Sequence, residues 1–244
     1  MLIRHRLLAA LVAALPLAAA APLRAQTCPC PQGDDAAYET ATLPVTPTSL
    51  PLCTADGCGT LAVQVTHRLV TPATTDGTPP PASPHYLGVE AGGNAGFPEP
   101  AGPVTLNVGS LATFKLTLTQ PRFLFVPANK SLVSPPPAPA AAPSFLCSKV
   151  ATSPPLKITV NELDQFGTNN PLKLDSVAYA CQSADTAAPA TTSWLVCFSL
   201  NKAGSALIHP AVKAFVNAAF FGAFVFNSGD VHSMDEFCLP ATKV

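Results

Sequence analysis

Prolines set the first limit on this chain. Twenty-eight of them interrupt almost every window that would need ten consecutive residues to make a helix. Each proline removes one helical hydrogen bond and its ring crowds the preceding turn. What survives between them is short runs of alternating apolar and polar residues, the pattern of half-buried strands. Residues 61–70 (LAVQVTHRLV) alternate in this way, and 111–119 (LATFKLTLT) do so more strictly. Further strands are predicted over 123–126, 156–160, 172–181, 194–200 and 224–226. The alanine-rich 211–221 is compatible with helix by composition and with strand by analogy to the unit before it. The expected class is all-β, a sandwich or barrel-like arrangement of disulfide-stapled modules with an internal tandem repeat and little helix.

The amino terminus reads as an export signal. Arg4 and Arg6 form its basic region, residues 7–21 its apolar region, and Leu23-Arg24-Ala25 its small-residue cleavage site. The apolar run is short for a span of about 20 residues, although a retained anchor is the alternative. Cleavage after Ala25 leaves 219 residues with ten basic and 14 acidic side chains, a net charge of −4. No basic cluster remains, which excludes nucleic acid and anionic membrane as partners. No membrane span is predicted in the mature chain. The expected location is the periplasm, the cell surface or the extracellular space.

Two units of similar design fill the carboxyl-terminal half. The first runs FLCSKV (145–150), ITVNELDQFG (158–167) and VAYACQSADT (177–186); the second runs WLVCFSL (194–200), AFVNAAFFG (214–222) and MDEFCLPATK (234–243). Each opens on a Cys strand, passes Val-Asn and then Phe-Gly, and closes on a second Cys. The turn positions are Phe166 and Gly167 in one, Phe221 and Gly222 in the other. VPANK (126–130) echoes LPATK (239–243). The predicted organisation is a signal (1–25), an N-terminal β-rich region (26–134), a stiff proline-rich linker (135–143), and repeat units at 144–190 and 191–244.

The aromatic-led Cys strand, the Asp164-Gln165-Phe166-Gly167 turn and the closing Cys238-Leu239-Pro240-Ala241-Thr242-Lys243 resemble a family of bacterial secreted repeats of unknown function, over roughly residues 120–244. Ser148 and Phe198 stand where that family usually has Tyr, and Cys181-Gln182-Ser183-Ala184 lacks its proline. The resemblance implies a tandem β-module and no particular activity.

All eight cysteines follow the signal, an even number that reads as disulfides in an exported chain. Repeat symmetry favours Cys147–Cys181 and Cys197–Cys238, each unit closing on itself. The rival pairing joins Cys181 to Cys197 and Cys147 to Cys238. Cys28 and Cys30 are then expected to pair with Cys53 and Cys58. A four-Cys zinc site is the alternative for that group, without the usual spacing.

No nucleophile elbow, phosphate loop, dinucleotide fingerprint or metalloprotease motif occurs, and no cofactor is implied. The densest polar stretch is 228–236, where Asp230 and His232 would share one side of a strand. With His209 they are the candidate catalytic residues for a secreted hydrolase. Asp164, Asn169 and Asn170 are candidate oxygen ligands for a cation, or simple turn formers. Trp194, Phe220 and Phe224 are candidates for a ligand face or for the core. The leading expectation is a non-catalytic structural or binding module whose partner is a protein or carbohydrate at the cell surface.

Overall fold

The computed structural model describes residues 34–244 except 47, 81–83, 93–97, 99–101 and 188–191. These residues form fourteen strands and one short 3-10 turn. The strands are β1 (Asp34–Thr40), β2 (Ser49–Thr54), β3 (Gly57–Thr74), β4 (His85–Ala91), β5 (Val104–Val108), β6 (Ala112–Leu116) and β7 (Leu118–Ser131). They continue as β8 (Ser144–Val150), β9 (Ile158–Asp164), β10 (Gly167–Ala184), β11 (Trp194–Leu200), β12 (Ala214–Ala218), β13 (Gly222–Phe226) and β14 (Val231–Lys243). The all-β class read from the sequence is the class observed.

Eight of these strands close into a ring. β1 pairs with β3, β3 with β4, β4 with β7, β7 with β8, β8 with β10, β10 with β11 and β11 with β14, all antiparallel. β14 returns to β1, with Asp35 opposite Cys238 and Ala37 opposite Glu236. Closure leaves no free edge within the ring. It also divides the ring into four quarters of the same plan: an opening strand, a hairpin arm and a closing strand. The arms are β2–β3, β5–β6, β9–β10 and β12–β13.

Each arm reaches the end of the closing strand two quarters away. The third arm meets the end of β3, with Asp164 opposite Ala73, and the first meets the end of β10 through a Cys53–Asp185 bridge. The second arm pairs with the end of β14 and the fourth with the end of β7. Residues 135–143, expected to separate regions of the chain, instead connect β7 to β8, two neighbours in the same ring. The Asn129 amide donates to the Pro137 and Ala138 carbonyls at 3.2 and 3.0 Å, and Asn217 donates to Pro136 at 3.2 Å, which straps this segment onto the fourth arm.

Strand alternation sorts the side chains into two layers. Inside the ring lie Phe123, Phe125, Phe145, Leu195 and Tyr86 with the paired cysteines, every ring strand contributing at least one residue. Residues of opposite parity, such as Leu69, Leu87, Leu124, Val196 and Phe237, form one continuous outer core with the apolar faces of the arms. The interior is thus solid, as small barrels are when side chains fill the lumen. Gly88 belongs to this packing. A Cβ there would stand 2.7 Å from the Arg68 Cβ and 2.9 Å from the Phe125 ring.

Two disulfides cross the interior, Cys147–Cys181 and Cys197–Cys238. Each joins residues directly opposite in neighbouring strands, and the sulfurs of Cys181 and Cys197 lie 3.8 Å apart. In the loop-entropy account each is worth about 4 kcal/mol. The third bond corrects the expected pairing. Cys53 is joined to Cys58, not to Cys28 or Cys30, because the Thr54–Gly57 turn sets the two opposite each other across the first arm. Cys28 and Cys30 lie outside the described residues.

Candidate functional site

Among the described residues the carboxylates of Asp34, Asp35 and Asp76 gather near the start of β1, and two further places bring together side chains of opposite charge. The first is the tip of the third arm, where the Asp164–Gly167 turn folds onto β1, β3, β4 and β7. Asp164 is buried, and its Oδ1 accepts the backbone N–H groups of Phe166 (2.7 Å) and Gly167 (3.2 Å). Its Oδ2 accepts the Tyr38 hydroxyl at 2.7 Å. Phe166 packs edge-on to Tyr38 at 4.9 Å, with the Lys130 ammonium 3.8 Å from its ring centre. Gln165 bonds to the Thr71 hydroxyl and approaches His85 Nδ1 at 3.4 Å. One turn of the strand back, the Asn169 amide donates to Glu162 Oε2 at 2.6 Å, and Asn169 Oδ1 accepts the Ile208 N–H at 2.6 Å.

Burial governs the electrostatics here. It raises Glu162 to about 8, reinforced by Asp164, and lowers Lys130 to about 7 against the pull of Asp164. It raises Asp164 as well, opposed by the Tyr38 bond, and lowers His85 to about 4. Glu162 Oε1 and Lys130 Nζ are buried without a hydrogen-bond partner. Perturbed groups of this kind mark functional sites in many proteins, yet Phe166 and Tyr38 fill the space between them. The Asp164 and Asn169 oxygens, candidates for a cation, are committed to Tyr38, to backbone N–H groups and to Ile208. Asn170 is exposed.

The second place is the opposite mouth of the ring. Arg68, 4% exposed, sends Nε to Glu236 Oε2 (2.8 Å) and Nη2 to Glu236 Oε1 (2.9 Å) and Asp235 Oδ2 (2.6 Å). Lys202 completes the network on Asp235 at 2.6 Å. Burial pushes Glu236 up, opposed by Arg68; on Asp235 burial is outweighed by Lys202 and Arg68, so its carboxyl sits below the ordinary range. The Phe123 ring holds both the Arg68 and Arg122 guanidiniums, at 5.1 and 5.5 Å. Arg122 in turn pairs with Glu90 at 2.5 Å. Beside this pair opens a cleft of about 310 Å³, lined by Gln64, Glu90, Ala91, Gly92, Gln120, Pro121 and Arg122. Burial, then Arg68, lowers the nearby His67, so its ring is neutral near pH 7. The lining offers amides, a carboxylate and a guanidinium, which suits hydrogen bonding to a polar ligand. It holds no hydroxyl or thiol beside a base.

The residues singled out for catalysis do not gather. Asp230 closes a turn by accepting the Asn227 N–H at 2.6 Å, while His232 and His209 are exposed. Among the described residues no group of three His, Cys, Asp or Glu side chains is placed to hold a metal. Of the aromatic candidates Trp194 is buried at 2% exposure, Phe224 is half-buried, and Phe220 is exposed at 40%. Sequence reasoning missed Arg68, Glu90, Arg122 and Glu236. The contact partners Arg68 and Glu236 are 168 residues apart, and no local pattern marks either. Compared with known proteins, the chain matches no family model, no curated protein and no solved structure.

Proposed function

We propose that the chain is an exported, non-catalytic module, a rigid frame that meets a protein or carbohydrate through its outer surface. The observation that carries this reading is the state of the ring interior. Disulfides, aromatic rings and the Arg68–Glu236 pair occupy it, so among the described residues the interior is packed with side chains. The mouth cleft beside Glu90 and Arg122 is the one polar concavity described above, and its chemistry is that of binding. The export-type amino terminus, the three disulfides and the proline-rich connections support an extracytoplasmic setting. Among the described residues no helix is long and apolar enough to cross a membrane.

The test pairs an activity screen with a binding screen. Mature protein offered chromogenic esters, glycosides and peptides is expected to show no turnover that His232→Ala or His209→Ala removes. On a glycan array and in pull-downs, Arg122→Ala combined with Glu90→Gln is expected to reduce retention while the fold persists by circular dichroism. Turnover abolished by either histidine variant would overturn the proposal.

A further inference from the structure

We propose that β13 is an association edge, and that its occupant is β13 of a second copy of this chain. The sheet path ends on β13 at one side and β6 at the other. A strand at such an end presents a row of unpaired backbone N–H and C=O groups that another strand can complete. The arms differ in how they guard their outer strands. β2 carries Pro51 and is bolted to β3 by Cys53–Cys58. β6 carries the exposed Lys115. β13 reads GAFVF and has neither device.

The lack of charge extends well beyond the strand. No Asp, Glu, Lys or Arg occurs from residue 214 to residue 229. Two copies brought together there, antiparallel about a two-fold axis, meet without like-charge repulsion, and a partner selected by charge would find nothing to read. Two of the exposed large apolar side chains lie on this arm as well, the others being Leu132, Val133 and Val244. Val225 is 42% and Phe220 40% exposed.

Phe220 supplies an independent sign. It has φ 67°, the left-handed region that glycine adopts freely and a bulky residue does not. The turn would be relaxed by glycine, but glycine would offer no ring at the tip. Strain retained at an exposed aromatic supports a contact role for its ring. The interface is small, one five-residue strand and its tip, so the dimer is weak and forms with rising concentration.

Sedimentation velocity on mature protein, from low to several hundred micromolar, is the experiment. The expected result is a monomer–dimer equilibrium that Val225→Lys abolishes, with circular dichroism and melting temperature unchanged. Phe220→Gly is expected to weaken the dimer by about tenfold while raising the melting temperature, a combination that damage to the fold would not give. A monomer at every concentration, or a dimer that Val225→Lys leaves intact, overturns the proposal.

Discussion

The tips of the third and fourth arms carry the same Phe-Gly signature and have opposite fates. The third, at Asp164–Gly167, is sealed against four ring strands by a buried carboxylate and the half-buried Phe166 ring. The fourth, at residues 219–222, meets the ring through backbone, the Ala219 N–H donating to the Pro127 carbonyl at 2.8 Å, and leaves Phe220 half out in solvent. What the two share is a hairpin turn that needs a positive φ, at Gly167 (139°) and Gly222 (76°). What separates them is the residue preceding the turn. Asp164 can cap the turn and accept Tyr38 in the same act, whereas Ala218 and Ala219 offer the fourth turn only backbone. A local signature therefore specifies the bend, and long-range side-chain hydrogen bonding decides how deeply the bend is docked.

The sharpest way to break this contrast is to remove the cap. Asp164→Ala strands the Tyr38 hydroxyl and two backbone N–H groups in a buried site. A loss of about 3–4 kcal/mol is expected in urea unfolding. Gly167→Ala comes next at about 2 kcal/mol, mainly from its disfavoured φ, since the Cβ 2.8 Å from Ile208 Cδ1 meets the movable end of a side chain. Gly222→Ala has the same φ problem and open space around it, so about 1 kcal/mol is expected.

Titration separates the tips further. The folded chain keeps the Glu162 proton up to about pH 8, while an unfolded glutamate releases it near 4.5. The raised carboxyl therefore favours the fold most below pH 4.5, and that contribution is lost as pH climbs to 8. His85, lowered to about 4, acts in the opposite sense between 4 and 6.5, and Lys130, lowered to about 7, does so between 7 and 10.5. Comparing Glu162→Gln with the parent isolates the contribution of this carboxyl. The variant should gain on the parent by about 1 kcal/mol for each pH unit between 5 and 8. No charged residue of the fourth arm from 214 to 229 exists to give such a slope. The smallest effect is a gain. Phe220→Gly should stabilise the monomer by up to about 1 kcal/mol, since the relief of φ strain exceeds the entropy that glycine adds to the unfolded chain.

Much of the fold was legible locally. Proline spacing excluded helix, strand patterns located about half of the strands (β3, β6, β7, β9, β10, β11 and β13), and the matching Cys strands marked Cys147–Cys181 and Cys197–Cys238, the bonds that the structure contains. The ring itself was hidden, because closure depends on β1 pairing with β14, some 200 residues later in the chain. The first arm shows how a local signal was passed over. Ala55-Asp56 forms a two-residue loop closed by Thr54 and Gly57, the glycine at φ 140°, and this hairpin places Cys53 and Cys58 opposite each other. Counting cysteines led elsewhere. The mouth of the ring was illegible for another reason: Arg68, Glu90, Arg122 and Glu236 are single charges on ordinary alternating strands, brought together only by the ring's register.

Native-state hydrogen exchange at low protein concentration tests the contrast between the tips most directly. The Phe166 and Gly167 amides, both donating to buried Asp164, should exchange only through global unfolding, and the outward-facing amides of β13 should exchange within seconds to minutes by local exposure. Exchange at Phe166 and Gly167 as fast as that of β13 would contradict the account.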